Sequence, residues 1–453
     1  MVIIDCWPWR YWAQLAPTRL ALTVDRRVYS WAQLAEQIEA LAAGFHAQGV
    51  GDGSGVVLQA VNSERAVLAW LALLRCGARL VPVNPRLPAW QVAALLPSLN
   101  VDYALTLNGE APAKLPALKM IDKTGPIPAR WQQASIATLT LTSGSTGVPK
   151  AAAHTFNAHF ASAHGVTTRL GFGADDSWLL SLPLFHVSGQ GILWRWLYCG
   201  ARLVLSEKES GPETTFASLV PTQLWRLLQQ PTLRLRTVLL GGAAIPPALT
   251  AQAEARGIAC WCGYGMTETA STVAAKRADG KPGVGEPLAG HRIGLNKGEI
   301  AIQSPALACG YWQNGTLRPL ADEAGWFHTR DGGFQQGNNL VISGRRDNLF
   351  FSAGEGIQPE QLEAVLAQHN TVEQVFIVPQ PDEEYGHRPV ALVALKGTAS
   401  FAPLQAWAAK KLAGFQRPVR WFRLPELNGG GIKPSRRQLA EWVVQQGKQT
   451  SGC

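Results

Sequence analysis

Thr142-Ser143-Gly144-Ser145-Thr146-Gly147-Val148-Pro149-Lys150 is the stretch on which both the fold and the chemistry turn. It follows residues 137–141, whose apolar pattern reads as a buried strand. A strand therefore runs into a loop of four hydroxyls and two glycines that ends on a lysine. Glycine lets backbone N–H groups approach a phosphate, the hydroxyls donate further hydrogen bonds, and lysine supplies a positive charge. The order excludes a Walker A loop, which places Gly before Lys and Ser or Thr after it. Here Pro149 precedes Lys150 and Ala151 follows. The bland alternative is a polar turn with an exposed lysine.

Working outward, helix and strand patterns alternate upstream of the loop. Leu34, Ile38, Leu41 and Phe45 recur at helical spacing within 31–48, and Val56-Val57-Leu58 reads as a buried strand. Residues 67–76 read as a helix stopped by Gly77, and 79–83 as the next strand. This alternation predicts a mostly parallel sheet covered by helices. Residues 109–130, rich in Pro, Ala and Lys, read as an irregular loop. From 283 to 342 the pattern changes to short strands with glycine turns, as in Gly298-Glu299-Ile300-Ala301-Ile302. Beyond it, Pro359 suits a first helical position with Leu362, Val365 and Leu366 on one face. Residues 375–378, 390–395 and 419–424 are strand-like, and 401–412 helical. The expectation is an α/β protein. A large N-terminal domain of helix-covered β-sheets spans 1–346, with a small β subdomain at about 283–342, and an α+β domain spans 347–453.

Composition agrees. With 453 residues, 47% hydrophobic and 16% charged, the chain is globular rather than disordered or coiled coil. Its formal charge of +9 is dispersed, and the densest basic pieces, Arg345-Arg346 and 433–437, are short. Anionic small molecules fit this better than nucleic acid. The first residues lack a basic segment followed by a long apolar one, and no apolar run approaches the ~18 residues of a membrane span. A soluble, cytoplasmic protein is expected, with self-association into a homo-oligomer left open. The seven cysteines show no framework, and only Cys260-Trp261-Cys262 forms a close pair. Buried free thiols are expected, rather than disulfides or a zinc site.

The loop 142–150 resembles the signature of the adenylate-forming enzymes: acyl-CoA synthetases, non-ribosomal adenylation domains and luciferases. The likeness continues in order along nearly the whole chain. It runs through 74–85, Leu182-Pro183-Leu184-Phe185-His186, Gly263-Tyr264-Gly265-Met266-Thr267-Glu268 and Gly325-Trp326-Phe327-His328-Thr329-Arg330-Asp331. It ends with Gly344-Arg345-Arg346-Asp347 and Gly431-Ile432-Lys433. Each motif alone is weak to moderate; the collinear set is specific. Segments 181–197, 239–246 and 347–359 are most similar to ligases of that family that join an aromatic dicarboxylic acid to coenzyme A. Two positions depart from many relatives: Arg330 stands where Gly is common, and Gly356 where Arg is common.

The resemblance implies an ATP-dependent acid–thiol ligase with Mg²⁺ and coenzyme A, working through an acyl-adenylate. It implies that Thr142, Ser143, Gly144, Ser145, Thr146, Gly147 and Lys150 bind phosphate. Tyr264, Gly265 and Thr267 would line the nucleotide site, and Glu268 would hold Mg²⁺. Asp331, aided by Arg345, would take the ribose hydroxyls, and Lys433 would meet the α-phosphate. Asp347 would be the hinge of a mobile C-terminal domain, and His186 would gate the acyl pocket. Read without the resemblance, Tyr264 or His186 could be core residues, Glu268 a helix-start carboxylate, and Lys433 an exposed loop lysine. Rival functions are adenylation of another acid, loading of a carrier-protein phosphopantetheine, or nucleotide binding without catalysis. The short stretch after Lys433 favours free coenzyme A over a fused carrier.

Gln190-Gly191-Ile192-Leu193-Trp194-Arg195-Trp196-Leu197 is an apolar helical segment with one cation. A buried cation must reach water, a protein carboxylate or a ligand anion. A structural ion pair or a snorkelling arginine are the plain outcomes. The sharper one is a substrate carboxylate, with Ser188 and Thr272 as polar neighbours.

Overall fold

The computed structural model describes residues 4–25, 27–112, 114–142, 150–205, 214–230, 234–242, 245–352, 355–397, 399–425 and 435–450. The chain divides into two compact units, 1–293 with 302–327, and 294–301 with 328–453.

The first unit holds two large sheets. One has nine strands, in the order Glu286–Pro287, Ser271–Arg277, Ala259–Met266, Thr237–Leu240, Phe216–Leu219, Ser177–Leu179, Arg202–Leu205, Leu20–Val24 and Arg27–Ser30. The other has seven: Thr316–Arg318, Gly310–Gln313, Lys150–Thr155, Ile136–Thr142, Arg79–Val83, Gly55–Gln59 and Tyr103–Thr106. The first is parallel at the centre and antiparallel at both edges, and the second is parallel from Ile136–Thr142 to Tyr103–Thr106 and antiparallel over its other strands. The central strands Gly55–Gln59 and Arg79–Val83 are buried at every position, which is why they read as unbroken apolar runs.

Helices cover these sheets because local signals start and stop them. Trp31–His46 begins at a capping box between Ser30 and Gln33 and buries Leu34, Ile38, Leu41 and Phe45. Glu64–Arg75 is capped by the Ser63 hydroxyl. Val187–Cys199 differs, being buried from Gly189 through Tyr198 with Trp194 and Trp196 in the main core. A helix apolar on all sides must lie inside, and this one carries Arg195 inside with it.

The second unit contains a five-stranded sheet: Glu355–Ile357, Phe350–Ser352, Gly386–Leu395, Val372–Asp382, and Arg420–Arg423 parallel to Gly386–Leu395. Alternate residues face opposite sides. Val375, Ile377, Ala391 and Val393 pack with helices Pro359–Leu366 and Ala402–Lys411. Val378, Val390 and Leu392 pack with Leu439 and Val443 of helix Arg436–Thr450. A four-stranded sheet (Arg292–Asn296, Glu299–Gln303, Phe327–Gln336, Asn339–Arg345) falls largely in this unit as well.

The compact units thus part upstream of the 344–347 junction that the sequence suggested. The Gln358 side chain donates to the Arg345 carbonyl at 2.9 Å, and Asn348 donates to Glu360, tying strand Asn339–Arg345 to the helix that follows. Among the described residues no helix is long and apolar enough to cross a membrane. The six described cysteines are free. Cys76 and Cys260 are buried as expected, but Cys309 is exposed and Cys6, Cys199 and Cys262 are half-buried.

Candidate active site

In the first unit, strands Ile136–Thr142 and Lys150–Thr155 form an antiparallel hairpin with Thr142 opposite Lys150. The loop residues Ser143, Gly144, Ser145, Thr146 and Gly147 lie outside the described residues. Lys150 is exposed, and its Nζ stands 5.0 Å from the centre of the Tyr311 ring. The Tyr311 hydroxyl donates to Glu268 Oε1 at 2.8 Å. Strand Gly310–Gln313 pairs with Lys150–Thr155, placing Tyr311 opposite Ala152. A cation, a ring and a carboxylate are thereby linked at the end of the hairpin formed by Ile136–Thr142 and Lys150–Thr155. Tyr311 carries no signal in the sequence: it lies 43 residues from Glu268, and only strand pairing joins them.

Glu268 sits in a 3₁₀ turn, Thr267–Thr269, between strands Ala259–Met266 and Ser271–Arg277. A β-bulge follows Tyr264, and a Cβ on Gly265 would meet the Ser271 carbonyl at 1.8 Å. Only glycine fits there. Ala270 and Ser271 take left-handed backbone angles, φ 51° and 119°, which turn the chain back on itself. Tyr264, Thr267 and Glu268 are half-buried, so Tyr264 is not a core tyrosine.

Two buried histidines lie nearby. Loss of water pushes His154 down to about 4, although backbone groups of Thr267, Ala152 and Glu268 partly favour its cation. Neither of its ring nitrogens makes a hydrogen bond of good geometry. His159 bonds to the Thr138 hydroxyl at 2.8 Å and stacks on Trp194 at 4.5 Å. Burial, and then His154, hold it well below the usual histidine range. Both rings are neutral near pH 7 and add no charge beneath the turn.

Helix Val187–Cys199 connects these parts. His186 is its N-cap; burial lowers the ring's affinity for a proton, and Nε2 is buried without a partner. Asn62 shapes the approach by donating to the carbonyls of Leu180 (3.2 Å) and Leu182 (2.8 Å) and accepting from Leu184 N–H (3.1 Å). Thr140, two residues before Thr142, donates to Gln190 Oε1 at 3.1 Å.

Arg195 is 1% exposed. Its Nη1 donates to Ser218 Oγ at 3.2 Å and its Nη2 to Ser271 Oγ at 3.1 Å, while Nε has no partner. The guanidinium carbon lies 5.0 Å from the centre of the Trp178 ring. No carboxylate meets it among the described residues. Desolvation lowers it to about 9. Arg195 is therefore not snorkelling, and among the described residues it has no ion-pair partner. Ser271 stands three residues past Glu268, so the cation is attached to the same turn. Thr272 is buried, 3.5 Å from Ser271 between hydroxyl oxygens, and Ser188 is half-buried on the helix.

The second unit holds the other group. Strand Phe327–Gln336 pairs Asp331 with Arg345. Arg345 Nη1 donates to Asp331 Oδ1 (3.2 Å) and to the Thr329 carbonyl (3.2 Å), and Nη2 to Asp347 Oδ2 (3.1 Å). Asp331 is buried, and Thr329 Oγ1 accepts its backbone N–H at 3.0 Å. Arg330 has φ 62°, the left-handed angle that favours glycine, which gives the glycine of many relatives a physical reason. Gly356 is exposed, and an added Cβ would meet only ordinary contacts with Leu349 and Phe351, so a side chain has room there. Lys433 lies outside the described residues. Its described flanks are anchored: Leu424 N–H donates to the Val393 carbonyl at 3.0 Å, and Arg436 pairs with Glu360 (3.3 Å) and Glu363 (3.0 Å).

Among the described residues no three His, Cys, Asp or Glu side chains gather as a metal site. One carboxylate, Glu268, with a single oxygen occupied by Tyr311, still fits Mg²⁺, which keeps most of its ligands as water and phosphate oxygens.

Helix-covered parallel sheets, a hydroxyl-rich loop rooted beside Lys150, and a carboxylate–arginine pair on a separate small unit define the class of nucleotide-dependent carboxylate-activating enzymes. The family comparison agrees: residues 9–312 match the model of the AMP-binding enzyme and 361–428 that of the AMP-binding enzyme C-terminal domain, and the chain belongs to this family. Within the family it is similar over nearly its whole length to proteins named 2-succinylbenzoate–CoA ligase. The Salmonella typhimurium protein of that name is 53% identical, covering 97% of this chain and 98% of its own. The solved structure of R195K E. coli MenE with bound OSB-AMS is 48% identical with TM-score 0.90, covering 98% and 99% of the two chains. O-succinylbenzoate coenzyme A synthetase (MenE) from Bacillus subtilis, in complex with ATP and magnesium ion, is 27% identical with TM-score 0.86, covering 96% and 99%.

Proposed function

We propose that this chain ligates 2-succinylbenzoate to coenzyme A, with ATP, in menaquinone biosynthesis. The substrate carboxylate attacks the α-phosphate and pyrophosphate leaves. The coenzyme A thiol then attacks the acyl carbonyl and AMP leaves. The first step brings two anions together, so the site must supply positive charge and in-line geometry. Thr142, Lys150 and the loop between them take the β- and γ-phosphates. Mg²⁺, when bound, neutralises phosphate charge; Glu268 would hold it, steadied by Tyr311. Tyr264 with Gly265 and Thr267 takes the adenine side, and Asp331, oriented by Arg345, takes the ribose hydroxyls. Lys433 meets the α-phosphate. Asp347 is the pivot by which the small domain exchanges its faces between the two steps. His186 gates the acyl pocket, where burial keeps its imidazole neutral. The reaction belongs in the cytoplasm, where ATP and coenzyme A are available.

One observation carries the substrate reading. Arg195 is a fully buried cation whose hydrogen-bond partners among the described residues are two neutral hydroxyls. 2-Succinylbenzoate has two carboxylates: one is activated, and the other needs such a partner, with Ser188 and Thr272 beside it. The test incubates purified protein with 2-succinylbenzoate, ATP, Mg²⁺ and coenzyme A. Thioester, AMP and pyrophosphate should form in equal amounts. Pyrophosphate without thioester, with transfer only to a phosphopantetheine carrier, would replace coenzyme A as acceptor. No turnover with this acid would remove the substrate assignment.

A further inference from the structure

Arginine has five N–H groups. Two of those on Arg195 are used, one on each terminal nitrogen, by Ser218 Oγ and Ser271 Oγ. Three remain: one on Nε, which has no partner, and one on each terminal nitrogen. The two serines come from different strands, Phe216–Leu219 and Ser271–Arg277, and grip opposite prongs of the fork. They fix the plane of the guanidinium without adding charge. The Trp178 face is neutral as well. Gly191, one turn before Arg195, keeps this arrangement open: an added Cβ would lie 3.1 Å from Ser271 Oγ and 3.2 Å from Arg195 Nη2.

Arg79, also buried in this unit, is held by the neutral carbonyls of Gly53 and Asn100, but the more deeply buried Arg75 is treated differently. Arg75, 4% exposed, is met by the Glu39 carboxylate at 3.0 Å. A carboxylate in place of either serine would complete an internal ion pair at Arg195 and remove its demand for a ligand anion.

We infer that Ser218 and Ser271 determine selectivity for a diacid: they are positioning residues that orient Arg195 while leaving its charge for the second carboxylate of the substrate. This rests on the reading that Arg195 meets that carboxylate. The ligand class is an acid bearing a second carboxylate beyond the one activated. The polarity of the pocket toward that group is set by these two neutral hydroxyls as much as by the arginine.

The test compares kcat/KM for 2-succinylbenzoate and for its analogue lacking the ring carboxylate in the full-length protein. Variants are Ser218→Asp, Ser218→Ala, Ser218→Thr, Gly191→Ala and, as reference, Arg195→Leu. Ser218→Asp should lower use of the diacid at least tenfold and that of the monoacid less than threefold, so the preference collapses. Ser218→Ala should weaken the preference severalfold, mainly through KM, and Ser218→Thr, which keeps the acceptor, should restore it. Gly191→Ala should erode the preference, because its Cβ would press on Ser271 Oγ at 3.1 Å and Arg195 Nη2 at 3.2 Å and shift the fork. If Arg195→Leu abolishes the preference but Ser218→Asp and Ser218→Ala leave it intact, the serines have no such role and the substrate reading survives. If Arg195→Leu lowers both acids alike, the substrate reading itself fails. If Ser218→Asp does not fold, the Ala, Thr and Gly191 variants decide, and an unchanged preference in Ser218→Ala and Gly191→Ala overturns the inference.

Discussion

The Tyr311 hydroxyl donates a 2.8 Å hydrogen bond to the Glu268 carboxylate, joining strand Gly310–Gln313 to the turn after strand Ala259–Met266. A bond to a charged acceptor is worth about 1.5–3 kcal/mol, and it fixes which carboxylate oxygen stays available. Tyr311→Phe should therefore lower adenylation about ten- to a hundredfold and raise the Mg²⁺ concentration needed for half-maximal rate. The ring that faces Lys150 is kept, so Tm should hardly move. Pyrophosphate release titrated with Mg²⁺ checks this; an unchanged magnesium requirement would reduce Tyr311 to a structural contact.

Lys433, proposed to meet the α-phosphate, should separate the two half-reactions. Removing a group that stabilises charge at the α-phosphate typically costs about 10²–10³ in rate. Lys433→Ala should lose that much in pyrophosphate formation, while transfer to coenzyme A from supplied acyl-adenylate suffers far less. Equal losses in both would indicate a folding defect. The flanks held by Arg436 and Leu424 make a wider collapse unexpected.

Much of the fold was legible because its signals are local. The strand at 79–83 and the irregular run after residue 109 stand where composition and periodicity put them. Helix Trp31–His46 starts at its capping box and ends two residues short of the expected 48, where its apolar face runs out. Pro359 is the first helical residue, as its fixed φ suggests. What stayed hidden depends on strands that meet only in space. Tyr311 reaches Glu268 through strand pairing, and Ser218 and Ser271 reach Arg195 from two strands of one sheet. Serines and tyrosines in strands carry no periodic signature of such a task. Arg195 itself was legible as an oddity, a lone cation in an apolar helix; that its partners are neutral was not. The compact division upstream of 344–347 was missed because short glycine-turned strands read alike whichever unit they join.

Asp347, exposed and bonded to Arg345 at 3.1 Å, is the pivot candidate. Proline fixes φ near −65° and restricts rotation there. Asp347→Pro should retain pyrophosphate formation with 2-succinylbenzoate and lose thioester formation by more than tenfold. Full thioester turnover in this variant would take the pivot away from residue 347.

Acid should destabilise the first unit through its buried histidines. His154 and His291 are both pushed down from 6.5 to about 4, chiefly by desolvation. Between those values the unfolded chain binds protons that the folded chain refuses. Stability is therefore full above about pH 6.5 and falls as pH drops toward 4. His154→Leu removes one of these groups, so its unfolding midpoint should decline less between pH 7 and 5 than that of the wild type. Parallel declines would show that His154 does not contribute to the acid sensitivity.

Arg195 gives the sharpest test of substrate. A charge-assisted hydrogen bond lost from a bound anion costs about 1.5–3 kcal/mol, ten- to over a hundredfold in kcat/KM. Arg195→Leu should weaken use of 2-succinylbenzoate by at least that range while leaving ATP affinity near its normal value. Stability should behave unusually for a core substitution. The buried cation has no counter-ion among the described residues, and removing it also removes a desolvation cost, so Tm should stay level or rise. The control is the analogue without the ring carboxylate. The wild type should use it poorly, for want of an anion to meet the guanidinium, and the variant should lose little further on it. The two acids should then be used at similar, low efficiency. A variant that loses equally on both, or whose Tm drops by more than about 5 °C, would make Arg195 a structural residue, and the diacid assignment would lose its physical support.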